Sequence, residues 1–240
     1  MNALISAELL RLRSVASHRW IALGMLALIA VNAAPFVNGA STSADEVVAQ
    51  LRGLAQLAIF MLAAYAAHIV GDEFRRGSVA TTYLRHPNRG RVAAAHAVTY
   101  AAVGAALAAI LAGAALAIVL PVAAGDHINT GLAPADIALV LAGSALGGAI
   151  LGAAGALIGA VARHPGLAMG VVVVWSVSES LATQGGTRGG IAHYLPFQLV
   201  GAATSLSEDV AVLPALGLLL VYLALMALAI RRWALPRDLT

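Results

Sequence analysis

The chain of 240 residues contains no cysteine and no lysine. Without cysteine it has no disulfide, no thiolate nucleophile and no cysteine-ligated metal. Without lysine it has no Walker A P-loop, in which a lysine reaches the β- and γ-phosphates, and no Schiff-base chemistry. No H-E-x-x-H run is present to hold zinc, and Ser144 has no base on its own helix to activate it. No catalytic, cofactor-binding or metal site is therefore expected on this chain. If it needs ATP, a partner must supply that chemistry.

Charge is scarce too. Charged residues make up 10% of the chain and hydrophobic ones 61%, whereas a soluble domain carries about 25% charged residues. Mean hydropathy is +0.89. Several runs reach the roughly 20 apolar residues that a hydrocarbon core about 30 Å thick requires. The expectation is an all-α integral membrane protein, a single transmembrane domain over 1–240. The net charge of +3 does not point to nucleic acid. All fourteen basic residues are arginine, and they cluster beside apolar runs instead of tracking one face, as topology signals do.

From Asn2 to Trp20, Ile5, Leu9, Leu12 and Ala16 recur at helical spacing, with Glu8, Arg11, Ser14 and His18 opposite. This pattern predicts an interfacial helix over 1–20. Six spans follow: Ile21–Val37, Leu51–Val70, Val92–Val122, Ile137–Val161, Leu167–Leu181 and Val210–Ile230. The third is longer than a perpendicular crossing needs, so it tilts or projects. "RHPG" at 163–166 makes a tight connection, with Pro165 stopping the fourth span. The segment 182–209 is too polar and glycine-rich to cross, and a short helix is expected from Tyr194 to Ala203 with Pro196 near its start.

An even number of spans puts both termini on one side. That side gathers 12 of the 14 arginines, leaving Arg52 and Arg188 opposite; the positive-inside rule makes it cytoplasmic. The alternative, a cleaved leader ending at "VNGA", would break this symmetry, and the expectation is that the segment is retained.

In "LAGSALGGAILGAAGALIGA", Ser144, Gly148, Gly152, Gly155 and Gly159 form a small-residue stripe. It serves packing inside the bundle or, less simply, a subunit interface. His68 and His96 lie near span ends, where hydration or neighbouring hydrogen bonds satisfy them. Glu179, in "WSVSES", sits at the outer end of the fifth span. It faces either a water-filled path or the outer headgroups.

Between the second and third spans, "VGDEFRRGSVATTYLRHPNRGRVAAAH" (Val70–His96) holds five arginines, two acids and a proline. "SVATTYL" has the apolar content for one or two helical turns. A short helix carrying Phe74 and Tyr83 among arginines suits docking into a partner's groove. The stretch resembles the first cytoplasmic loop of type-2 ATP-binding-cassette exporter permeases through Glu73, Arg76, Gly77, Ser78, Leu84, Pro87 and Arg89, with His96 where that family often has lysine. The order of elements is similar as well, and "AHYLPFQLVGAATS" (His193–Ser205) resembles the family's outer "yLPf" segment.

The resemblance implies a permease with an N-terminal elbow helix, six spans, and short re-entrant outer helices within 182–209. It implies a cytoplasmic coupling loop over 71–91 docked on a separate ATPase that carries ATP and Mg, with Glu73, Phe74, Arg75, Arg76, Ser78, Tyr83, Leu84 and Arg85 at the dock. A second permease chain would complete the path, lined by the second and fifth spans, with Gln56, Tyr65 and Glu179 as its polar groups. The cargo would be hydrophobic or amphiphilic. A gradient-driven transporter is disfavoured by the lack of midplane charge; a non-transporting membrane scaffold is the remaining alternative.

Overall fold

The computed structural model describes residues 16–37, 43–85, 88–184, 191–204 and 211–234. They are helical throughout, with no strand among them. In order, the helices are α1 (Ala16–Val37), α2 (Ala44–Arg75), α3 (Ser78–Arg85), α4 (Arg89–Gly125), α5 (Pro134–Ala162), α6 (Pro165–Gln184), α7 (Pro196–Ala203) and α8 (Val212–Ala229). A 3₁₀ turn, Ile191–Tyr194, leads into α7, and a π turn, Ile230–Ala234, ends α8.

Five helices are long and apolar enough to cross a membrane: Ala44–Arg75, Arg89–Gly125, Pro134–Ala162, Pro165–Ala182 and Val212–Arg232. The apolar stretch of α1, Trp20–Ala34, is about 22 Å of helix, shorter than a full crossing. The expected break between an interfacial helix and a first span at Ile21 is not there, because α1 runs unbroken from Ala16. Most of the expected interfacial helix, residues 1–15, lies outside the described residues.

Local sequence sets the helix ends. Ser43 caps α2 reciprocally with Glu46, its hydroxyl accepting from the Glu46 N–H while the Glu46 carboxylate accepts from the Ser43 N–H, both at 3.3 Å. Asn88 caps α4 by accepting from the Arg91 N–H at 3.1 Å. Asp136 reaches back to the Ala133 N–H at 2.8 Å, and Pro134 takes the first turn of α5, where its missing donor is harmless. Arg163, with φ +53, closes α5, and Pro165 opens α6 one residue after His164, the tight reversal "RHPG" predicts.

The second span continues further than its apolar run. Gly71 to Arg75 belong to α2 and not to the loop, so the connector expected over 71–91 narrows to 76–88. Five more residues of helix move the charged end of α2 beyond its apolar body, and Gly77, with φ +71, makes the turn. α4 likewise persists through Pro121 to Gly125. At about 48 Å and 55 Å, α2 and α4 overrun the roughly 30 Å of hydrocarbon.

α5 is the hub. A side chain at Gly155 would overlap the Ala63 carbonyl of α2, and one at Gly159 the Ala67 carbonyl. Gly148 and Gly152 are pressed as closely on the backbone of α4 at Gly104 and Tyr100. The stripe therefore serves packing within one chain, and it splits between two neighbours. The pairings make α5 parallel to α2 and antiparallel to α4. One end of the bundle thus collects the C-termini of α2 and α5 and the N-termini of α4 and α6, with Gly71 against the His164 backbone. α1 also begins there: Met25 lies near Tyr65, and Gln50 donates to the Asn32 carbonyl at 2.7 Å near the far end. We call this the connector end.

Overpacking a fitted core costs about 1–3 kcal/mol. Gly155→Leu is expected to lower the thermal unfolding midpoint in detergent clearly. Gly217→Leu on α8, where no neighbouring atom lies within 4 Å of the new Cβ, is expected to leave it nearly unchanged. Equal midpoints for the two variants would contradict the packing described.

Candidate functional site

At the connector end, α3 is a two-faced helix. Val79 is buried and Ser78, Thr82 and Tyr83 are half-buried on the inner face, while Ala80, Thr81, Leu84 and Arg85 are exposed. Leu84 is 86% exposed, unusual for a leucine with a bundle within reach.

The inner face is held from below. The Ser78 hydroxyl donates to the Glu73 carbonyl at 3.1 Å. The Glu73 carboxylate, on α2, lies 3.3 Å from His96 Nε2 on α4, and both residues are buried. A buried carboxylate needs such a partner, and this one ties α2 to α4 directly beneath α3. The Arg89 guanidinium stands over the Tyr83 ring, 5.8 Å from its centroid. Burial pushes the Tyr83 hydroxyl above its ordinary pKa, while the neighbouring Arg89 and Arg163 pull the other way. Arg75 and Arg76 are exposed, and both pair with Asp72, at 2.6 and 2.5 Å.

The structure thus divides the eight residues expected at the dock. Arg75, Arg76, Leu84 and Arg85 face outward. Glu73 is buried, Phe74 packs on the core, and Ser78 and Tyr83 turn inward; these four hold α3 in place. Pro87 lies outside the described residues.

Toward the other end, α7 is inserted among α2, α5, α6 and α8, with all of its residues but Gln198 buried. Eight residues span about 12 Å, too few to cross. Leu195, at its N-cap, offers no side-chain acceptor, and Pro196 has no N–H, so the first orphan donor is Phe197. Glu179, on α6 and only 2% exposed, takes it: Oε2 accepts from the Phe197 N–H at 2.8 Å. A carboxylate at a helix N-terminus is doubly favoured, by the hydrogen bond and by the helix dipole. The Phe197 ring packs edge-on against Trp175 of α6 at 5.3 Å and Phe60 of α2 at 5.9 Å.

Of the three polar groups expected along a path, Gln56 and Glu179 both abut α7. A side chain at Gly201 would run into the Gln56 amide. Tyr65 is elsewhere, edge-on to Tyr100 at 6.4 Å and in the wall of a cleft between α1, α2 and α6. Sequence reasoning missed Trp175, Phe197 and the Glu73–His96 pair. The only signal for the cap was negative: a proline at the first helical position preceded by leucine leaves a donor without a local acceptor. Among the described residues, no three histidine, aspartate or glutamate side chains gather to hold a metal.

Compared with known proteins, the chain matches no family model, and no curated protein matches it. The functional reading rests on the residues and their arrangement.

Removing an N-cap acceptor costs roughly 0.5–2 kcal/mol, and a buried donor left unpaired about 1–3 kcal/mol. Glu179→Ala is expected to speed amide exchange over residues 197–203 and to lower the unfolding midpoint. Glu179→Gln, which keeps an acceptor oxygen but loses the charge, should fall between. Unchanged protection of the Phe197 amide in Glu179→Ala would refute the capping role.

Proposed function

We propose that this chain is the permease subunit of a type-2 ATP-binding-cassette exporter in the cell membrane. In this reading α1 completes six crossings, both termini are cytoplasmic, and two permease chains flank a path for a hydrophobic or amphiphilic substrate. A separate cytoplasmic ATPase, binding ATP and Mg, docks on the connector end and supplies the energy that a lysine-free chain cannot draw from a P-loop of its own.

The observation that carries the proposal is α3. A short helix joins two long helices that overrun the membrane. Its inner face is tied to both of them, and its outer face presents a bare leucine beside an arginine. Such an element transmits force: a push on the outer face reaches α2 through Glu73 and α4 through His96, so both move as rigid bodies. His96 stands where the resembling family often has lysine, and its contact with Glu73 is what a basic residue at that position would make. Leu84 is the natural apolar anchor on the partner, and Arg85 can pair bidentately with a carboxylate. A solvated loop serving orientation alone would need arginines but not an outward leucine on a braced helix.

The test asks first whether an open reading frame beside this gene encodes a P-loop ATPase, and then co-expresses the two for purification and turnover assays. Leu84→Ala, truncating an anchor of the kind that often contributes more than 1 kcal/mol, is expected to cut ATPase recovery severalfold. Arg85→Glu should cut it further, with membrane insertion intact in both. Tyr83→Ala acts differently, by loosening α3 from within, and should also lower thermal stability. Normal recovery and stimulation of the ATPase by Leu84→Ala and Arg85→Glu would sink the docking role and leave a membrane scaffold as the better reading.

A further inference from the structure

Arg89 and Arg163 come from different helices and converge on one side chain. Arg89, in the first turn of α4, stands over the Tyr83 ring, 5.8 Å from its centroid. Arg163 closes α5 one turn after Gly159, which is packed on Val70 and Gly71 of α2. Its charge acts on the Tyr83 hydroxyl together with that of Arg89. All three residues are half-buried. We propose that Arg89, Arg163 and Tyr83 form a seat for the phosphate of an anionic phospholipid, bound where α3 joins the bundle. The inference goes beyond the export reading and does not depend on it.

Charge calls for an anion. Two guanidiniums held at one phenol repel each other, and partial burial weakens the screening that an exposed pair enjoys. Among the described residues, the acids at this end are Asp72 and Glu73, and both are engaged. Asp72 pairs with Arg75 and Arg76, while Glu73, whose charge also reaches Tyr83, lies against His96. A guanidinium carries five N–H donors in a planar fork, more than a contact with one aromatic ring uses. The fork matches the oxygens of a phosphate bidentately. Burial keeps the Tyr83 hydroxyl protonated, so it has a hydrogen bond to donate to the same phosphate. Arginines that serve orientation alone have no need to meet in this way; Arg91, two residues on, is exposed.

Position calls for a lipid. Leu167, four residues after Arg163, is 59% exposed in the first turn of α6. Trp20, near the start of α1 at the same end, is 73% exposed, as aromatic rings at the headgroup level are. The guanidiniums therefore stand at the border of apolar surface that lipid covers, and basic pockets between spans are where anionic headgroups bind. A phospholipid meets the charge and the apolar border together, whereas a soluble phosphate meets only the charge. Bound there, the headgroup joins α3, α4 and α5 and holds the inner face of α3 against the bundle.

The test uses the full chain purified in dodecylmaltoside and titrated with phosphatidylglycerol or with phosphatidylcholine of the same acyl chains. Bound lipid is counted by native mass spectrometry, and the unfolding midpoint is followed in parallel. Phosphatidylglycerol is expected to be retained and to raise the midpoint, and phosphatidylcholine to do neither. Arg89→Gln and Arg163→Gln should each weaken retention of phosphatidylglycerol about fivefold. Arg91→Gln removes an exposed charge about 200° around α4 from Arg89 and should leave retention nearly unchanged. An equal loss in Arg91→Gln would mean diffuse surface charge and would overturn the proposal. So would retention of phosphatidylcholine as strong as that of phosphatidylglycerol, or a midpoint shift that survives in the Arg89→Gln, Arg163→Gln double variant. Displacement of the lipid by millimolar inorganic phosphate would assign the seat to a soluble anion and overturn it as well. No ATPase is present, so this result and the docking result stand or fall separately.

Discussion

The close approach of the α5 backbone to α2 and α4 is the constraint on which the rest of the molecule depends. In lipid, apolar side chains gain nothing by leaving one hydrocarbon environment for another, so helices associate through dense packing and backbone proximity. Glycines at 148, 152, 155 and 159 allow that proximity on two sides of one helix. Each also removes the rotamer entropy that a longer side chain would lose on packing. The three helices form a unit to which the others are attached, and the attachments differ in kind.

At the connector end the attachment is polar. A buried carboxylate and imidazole join α2 to α4 below α3, near the charged end of α2. At the α7 end the attachment is one hydrogen bond from Glu179, a set of aromatic edges around Phe197, and the fit of the Ala203 carbonyl over Gly143. The buried face of α6, through Ala168, Val172 and Glu179, meets the bundle and α7, while Val171, Val174 and Val177 face outward. α8 is attached more lightly still, burying only Ala215 and Leu219.

Much of this was legible in the sequence because it is encoded locally. Apolar runs separated by capping residues gave the long helices, "RHPG" gave the reversal at 163–166, and Pro196 marked the start of α7. "SVATTYL" gave a short helix of the right length. Less legible was anything that depends on which residues meet. Gly71 to Arg75 read as loop because they are polar, yet helix propagation carried α2 through them to the glycine that can take a positive φ. Phe74 and Tyr83 read as anchors for a partner because aromatic rings in a charged loop have no other evident use, but the bundle supplied a surface for them. Glu179 read as a lone acid near a span end, since nothing in a sequence says that its acceptor will be needed by a helix 18 residues later. The stripe of small residues was visible, but not its division between α2 and α4.

The proposed function requires α3 to be a cytoplasmic element, braced on its inner side and open on its outer. Because the chain has no cysteine, a single introduced thiol reports its own position without background. The most direct measurement is labelling by a membrane-impermeant maleimide of Leu84→Cys and of Asn129→Cys, at opposite ends of α4, in intact cells and in inside-out vesicles. The account requires Leu84→Cys to react fast in inside-out vesicles and not in cells, and Asn129→Cys to do the reverse. Reaction of Leu84→Cys in intact cells, or of both thiols from the same side, would contradict it.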